Sequence, residues 1–239
     1  MPAARPPLPS VEHPITDLTD QRVVQILSTE HWSLLSARGL AYNEAFTRGG
    51  MFLTFLSASF VALALFSTAM SFGDDFLIVV AVVLAFDFII GLLTYGRIGG
   101  ANVDDLRAVH GMARIRHAYT QMAPVVTPYF TTGTHDDLPG VMLAYGGPSW
   151  GRFGDFAYAL TTSGGMIGLI TCMVGGVFTA VAALLIGASG GWALAAGIVG
   201  TGVIFVALAT ATFGSVARTQ AQLETLFPTP TTEERATDR

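Results

Sequence analysis

Asp87 is the residue of this chain whose type and position could do chemistry. It is the twelfth residue of a twenty-residue apolar run, Phe76–Tyr95, within Val83–Leu84–Ala85–Phe86–Asp87–Phe88–Ile89–Ile90. A run of that length can cross a bilayer as a helix, which predicts a carboxyl close to mid-membrane. An ionised carboxylate there costs about 2.5–3.5 kcal/mol on insertion scales, and protonation is a cheaper escape. Gly91 at i+4 and Thr94 at i+7 share its helical face, a small and weakly polar surface suited to a bundle interior or a water-filled cavity. Asp87, Gly91 and Thr94 are therefore the expected ion or proton pathway. The plainer alternative is a structural carboxyl that hydrogen-bonds a neighbouring span.

The elements that must position this group are four apolar stretches, near Met51–Phe72, Phe76–Tyr95, Gly164–Ser189 and Trp192–Gly214. All 12 basic residues are arginine, and none lies within a stretch or in the short connections after the first and third. That is the positive-inside pattern of a four-span protein with both termini cytoplasmic. The expected fold class is an all-α integral membrane protein. Its four transmembrane helices form two antiparallel hairpins, N-in and C-in, with cytoplasmic amphipathic helices. The expected location is the cytoplasmic (inner or plasma) membrane of a bacterium; the absence of lysine reads as the mark of a GC-rich genome rather than as phosphate recognition by arginine.

Outside the spans the chain divides as follows. Residues 1–16 carry five prolines and read as a disordered N-terminus without a cleavable signal. Residues 17–50 read as cytoplasmic or interfacial helix, broken near Ser28–Thr29, with Gly49–Gly50 turning the chain into the first hairpin over 51–96. A cytoplasmic helical linker spans 97–163, with one helix at about Asp104–Met122 whose two leading aspartates favour its dipole. Tyr145, Trp150, Phe153, Phe156 and Tyr158 form an aromatic belt before the second hairpin at 164–214. Residues 215–239 read as a helix end and a disordered tail.

Small residues form helix-packing stripes, chiefly Gly164, Gly168 and Gly175 on the third span and Gly197 and Gly200 on the fourth. Such stripes let backbones approach closely. On the linker helix, Arg107, His110, Arg114 and His117 form a cytoplasmic basic face that is either solvated, paired with Asp136, Asp137 or Asp155, or able to take anionic headgroups. Arg116 points into the apolar sector and needs a partner. His135–Asp136–Asp137 reads as a polar turn rather than a metal site.

Several functions are excluded at this level. The net charge of −5 argues against nucleic acid, and a single cysteine, Cys172, allows no intrachain disulfide. No nucleophile elbow, phosphate loop or metal-binding motif occurs, so no catalytic residue, cofactor or metal is expected, and the chain does not read as an enzyme. The function expected is a homo-oligomeric membrane channel or ion-conducting protein with Asp87 as its ion- or proton-interacting group. The rival is a non-conducting scaffold or accessory subunit that recruits a cytoplasmic or membrane partner through its helices. Membrane lipid, further copies of the chain and such a protein are the expected partners.

Overall fold

The computed structural model describes residues 17–69, 73–145 and 159–230, and all regular structure among them is helical. Helix α1 runs Gln21–Ala69, α2 Asp74–Met122, α3 Leu138–Met142, α4 Ser163–Leu185 and α5 Gly190–Gln222; 3-10 turns occupy Pro124–Tyr129 and Leu143–Tyr145. Helices α1, α2, α4 and α5 are each long and apolar enough to cross a membrane. The expected disorder of 1–16, Asp155, the aromatics Trp150–Tyr158 and the end of the tail at 231–239 lie outside the described residues.

The two longest helices correct the sequence reading. No break occurs at Ser28–Thr29 and no turn at Gly49–Gly50: α1 is continuous for 49 residues, about 74 Å at 1.5 Å per residue. A helical glycine costs only about 1 kcal/mol relative to alanine, and Gly49 is buried where α1 meets Ile167 of α4. Likewise the second span and the predicted linker helix are one element, so Asp104 and Asp105 stand mid-helix rather than at a start. Asp74 and Asp75 occupy the first turn of α2 instead, where they complement the dipole. The predicted end at Met122 is correct, set by Pro124. Helix α5 continues eight residues past Gly214 to Gln222.

The helix ends have local causes. Thr162 Oγ1 accepts from Gly165 N at 3.1 Å and caps α4. At its other end Gly187 takes φ +87°, the Gly187 N–H donates to Leu184 O (2.9 Å) and Ala188 N–H to Ala183 O (3.0 Å), a Schellman closure that a side-chain-bearing residue would strain.

The four long apolar helices pack as a row: α1 along α2, α2 along α4, and α4 along α5, with only light contact between α1 and α4 or α2 and α5. Helix α4 is the most buried of the four and α5 the least. One core cluster lies among the apolar stretches of these helices, built on Phe52, Leu56, Leu84, Ile98, Ile167 and Val174. A second lies beyond them at the arginine-bearing end, where Leu106, Val109, Met112 and Val141 pack with Leu34, Tyr145 and Val216. Helix α2 serves both. Its buried positions Leu84, Asp87, Gly91, Thr94, Ile98, Asp105, Val109 and Met112 follow one stripe at intervals of three, four and seven.

Candidate functional site

Asp87 lies on that stripe and is 0% exposed. It faces the interior of the row, where the Ser59 hydroxyl of α1 donates to its Oδ1 at 2.9 Å. Its Oδ2 is buried without a hydrogen-bond partner. Ser59 belongs to the inward face of α1 with Ala45, Gly49, Phe52 and Leu56. The spacing 52–56–59, which places Ser59 on the buried face, could have identified it from sequence.

One turn along α2, Gly91 is held closely. A Cβ there would stand 2.7 Å from Thr171 Oγ1 of α4 and 3.1 Å from Phe52 Cζ of α1. Thr171 is itself fully buried and donates to the Ile167 carbonyl at 2.7 Å. Thr94 is buried a further turn along. Asp87, Gly91 and Thr94 thus fall on one buried face of α2, with α1 and α4 closing over Gly91.

The glycine stripes act within the chain. A Cβ on Gly168 would meet the Tyr95 ring of α2 at 2.7 Å, and one on Gly175 would meet Phe88 at 2.6 Å. Gly164 faces Ile98 and Asn102 more loosely. Gly197 approaches the Gly176 carbonyl (3.1 Å from its Cβ position) and Gly200 approaches Thr179 Oγ1 (2.8 Å). Gly176, unmarked in the sequence reading, is the matching partner on α4. An apolar cleft between α2, α4 and α5, lined by Tyr95, Gly168, Cys172, Phe205 and Phe213, completes this side of the row.

At the arginine-bearing end, the predicted basic face is divided among partners. Arg107 is exposed and donates to Asp104 at 3.3 Å. Arg114 Nε donates to Asp136 at 2.8 Å, and its Nη2 to the Glu224 carbonyl. The His117 ring stacks on Phe227 with centroids 4.1 Å apart. His110 is buried, 3.8 Å from the Asp136 carboxylate. Burial first, and then the Arg114 charge, holds His110 below its ordinary value, so this contact joins a neutral ring to a carboxylate. Arg116 reaches the Gly133 carbonyl at 3.4 Å.

The polar turn at His135–Asp137 has a defined task. Asp136 accepts the backbone N–H of Leu226 (2.9 Å) and Phe227 (2.7 Å), while Asp137 accepts the N–H and hydroxyl of Thr229, each at 2.8 Å. The segment expected to be disordered after Phe227 is therefore seated through Thr229. Burial disfavours the charged Asp136, but the two amides and Arg114 outweigh it and lower its pKa.

Two further links tie α1 to α2. Buried Asp105 accepts from Arg38, from Tyr42 OH (3.2 Å) and from Tyr145 OH (2.8 Å). Glu44 accepts from Arg97 and then Arg48, both at 2.9 Å at closest, and these hydrogen bonds, Arg97's foremost, lower its pKa to about 2. Among the described residues, no group of three or more His, Cys, Asp or Glu side chains is placed to hold a metal ion.

No family model, curated protein or solved structure matches the chain. Function has to be read from the site itself. The arrangement consists of a carboxyl sealed between apolar helices, continuous on one helix with a polar-linked layer at the arginine-bearing end.

Proposed function

We propose that the chain is a subunit of a homo-oligomeric membrane channel or ion-conducting protein in which Asp87 is the ion- or proton-interacting group. In this reading α1–α2 and α4–α5 are two antiparallel transmembrane hairpins with both termini cytoplasmic. The arginine-bearing extensions of α1, α2 and α5 form a cytoplasmic layer. The carrying observation is the Asp87 carboxyl, fully buried on the inward stripe of α2 and held by one hydroxyl. Intramembrane acids are costly, and they occur chiefly where they face functional interiors. In the arrangement described the carboxyl is sealed, as in a resting state, and conduction requires α1 to shift relative to α2 at Ser59.

Reconstitution into liposomes tests the reading. Wild-type protein is expected to pass protons or small cations, with Asp87→Asn reducing the rate at least tenfold. No flux in either protein ends the hypothesis.

The scaffold reading draws on a separate observation. Large apolar side chains on the extension of α1, among them Ile26, Trp32, Leu40 and Phe46, are exposed outside the predicted span. A non-conducting scaffold would leave Asp87→Asn silent and lose a co-purifying partner when these residues are made polar.

A further inference from the structure

We propose that the species bound at Asp87 is the proton rather than a metal cation. This rests on the conduction reading of the same site and narrows its substrate class. The first argument is the oxygen count. A metal ion stripped of its water needs about six oxygen ligands or a ring of free carbonyls. The hydrogen bonds around Asp87 supply its own two oxygens and the Ser59 hydroxyl. The hydroxyl of Thr171 on the facing helix is turned back on its own helix, onto the Ile167 carbonyl. The carbonyls of α1, α2 and α4 at this depth belong to continuous helices.

The second argument is space. The carboxyl lies between Leu84 and Gly91 on the buried stripe of α2, and at Gly91 the packing leaves no room even for a methyl group against Thr171 and Phe52. A hydrated ion is larger than that methyl group; a proton adds no volume.

The third argument is charge. None of the four apolar stretches contains a basic residue. Arg97, the nearest arginine along α2, is ten positions away, about 15 Å of helix. The unpartnered Oδ2 is the atom on which a proton makes the group neutral, and an unpaired anion is the costliest occupant of an apolar interior. Binding and release then follow Asp87–COOH ⇌ Asp87–COO⁻ + H⁺, with Ser59 continuing to donate to Oδ1.

Infrared spectroscopy of the reconstituted protein decides the assignment separately from flux. The expected result is a carboxylic-acid C=O band at neutral pH that shifts in D₂O and is missing from Asp87→Asn. Should that variant not assemble, Ser59→Ala, which removes the hydrogen bond to the carboxyl, must move the same band; a band that stays in place overturns the assignment. Absence of the band from the wild type, or sodium or potassium flux that Asp87→Asn abolishes, overturns the proton assignment and leaves conduction standing. A band without flux of any ion supports the proton site and removes the conduction reading.

Discussion

At the residue scale, the site depends as much on what is missing as on what is present. Gly91 has no side chain because Thr171 and Phe52 occupy the space one would need, and this brings α1 and α4 over the turn that follows Asp87. Gly91→Leu is expected to destabilise the protein by about 1–3 kcal/mol through overpacking, seen as a lower unfolding midpoint in detergent. An unchanged midpoint would show that α1 and α4 can move apart freely at this level. Asp87 itself was legible in the sequence because a carboxylate is conspicuous within a twenty-residue apolar run. Ser59 was not, because serine is common in spans and only the facing of α1 onto α2 gives it a partner. Gly176 escaped notice for a similar reason: its role requires Gly197 on the next helix.

At the element scale, composition located the apolar stretches but not the ends of the helices. Nothing in Gly49–Gly50, or between Tyr95 and Asp104, stops a helix, since no proline intervenes. The expected boundaries came from changes in polarity, and a helix can cross from lipid to water without a break. The seat of the C-terminal segment was illegible for a different reason. Pro228 and Pro230 suggest disorder locally, and only the tertiary approach of Asp136 and Asp137 satisfies the amides between Leu226 and Thr229. Asp136→Ala is therefore expected to raise amide exchange at Leu226 and Phe227 by tenfold or more at fixed pH. The seat is also expected to weaken in acid. Burial, then the Arg114 charge at His110 and the His135 ring at His117, holds both histidines below 6.5, with Asp136 facing each and favouring the proton. The released state binds protons first, so the seat is intact above pH 6.5 and weakens as the pH falls through the lowered values. The contribution of Asp136 follows only below its ordinary 3.8. A nitroxide on Thr225→Cys should gain mobility between about pH 7.5 and about pH 5. His117→Asn should blunt that gain, and equal gains in both proteins would rule the histidine out.

At the scale of the whole molecule, four helices in a row do not enclose a pore. Helices α1 and α5 end the row, and each presents large apolar side chains outward, including Phe60, Val61 and Leu65 on α1 and Leu194, Ile198 and Val203 on α5. Within the bilayer these can face lipid, so by themselves they say nothing about assembly. The extension of α1 is different. Trp32 is 65% and Leu40 71% exposed beyond the predicted span, and in the proposed topology water rather than lipid is the alternative there to a protein contact. The glycine stripes are already occupied inside the chain, so the α1 extension is the better candidate for contact between copies. Conduction in the proposed reading requires such contact, because a second copy set against α1 would close off from lipid the path that opens when α1 shifts from α2 at Ser59, which one row cannot do alone. Light scattering in mild detergent should give a mass that is a multiple of 25.2 kDa. Trp32→Glu with Leu40→Glu should reduce that mass to one protomer while circular dichroism stays unchanged, since both positions are solvent-facing on a helix that packs through its other side. A wild-type mass of one protomer would remove the ring. Asp87 would then be a protonated acid inside a lone four-helix scaffold, and the exposed face of α1 would belong to a different protein.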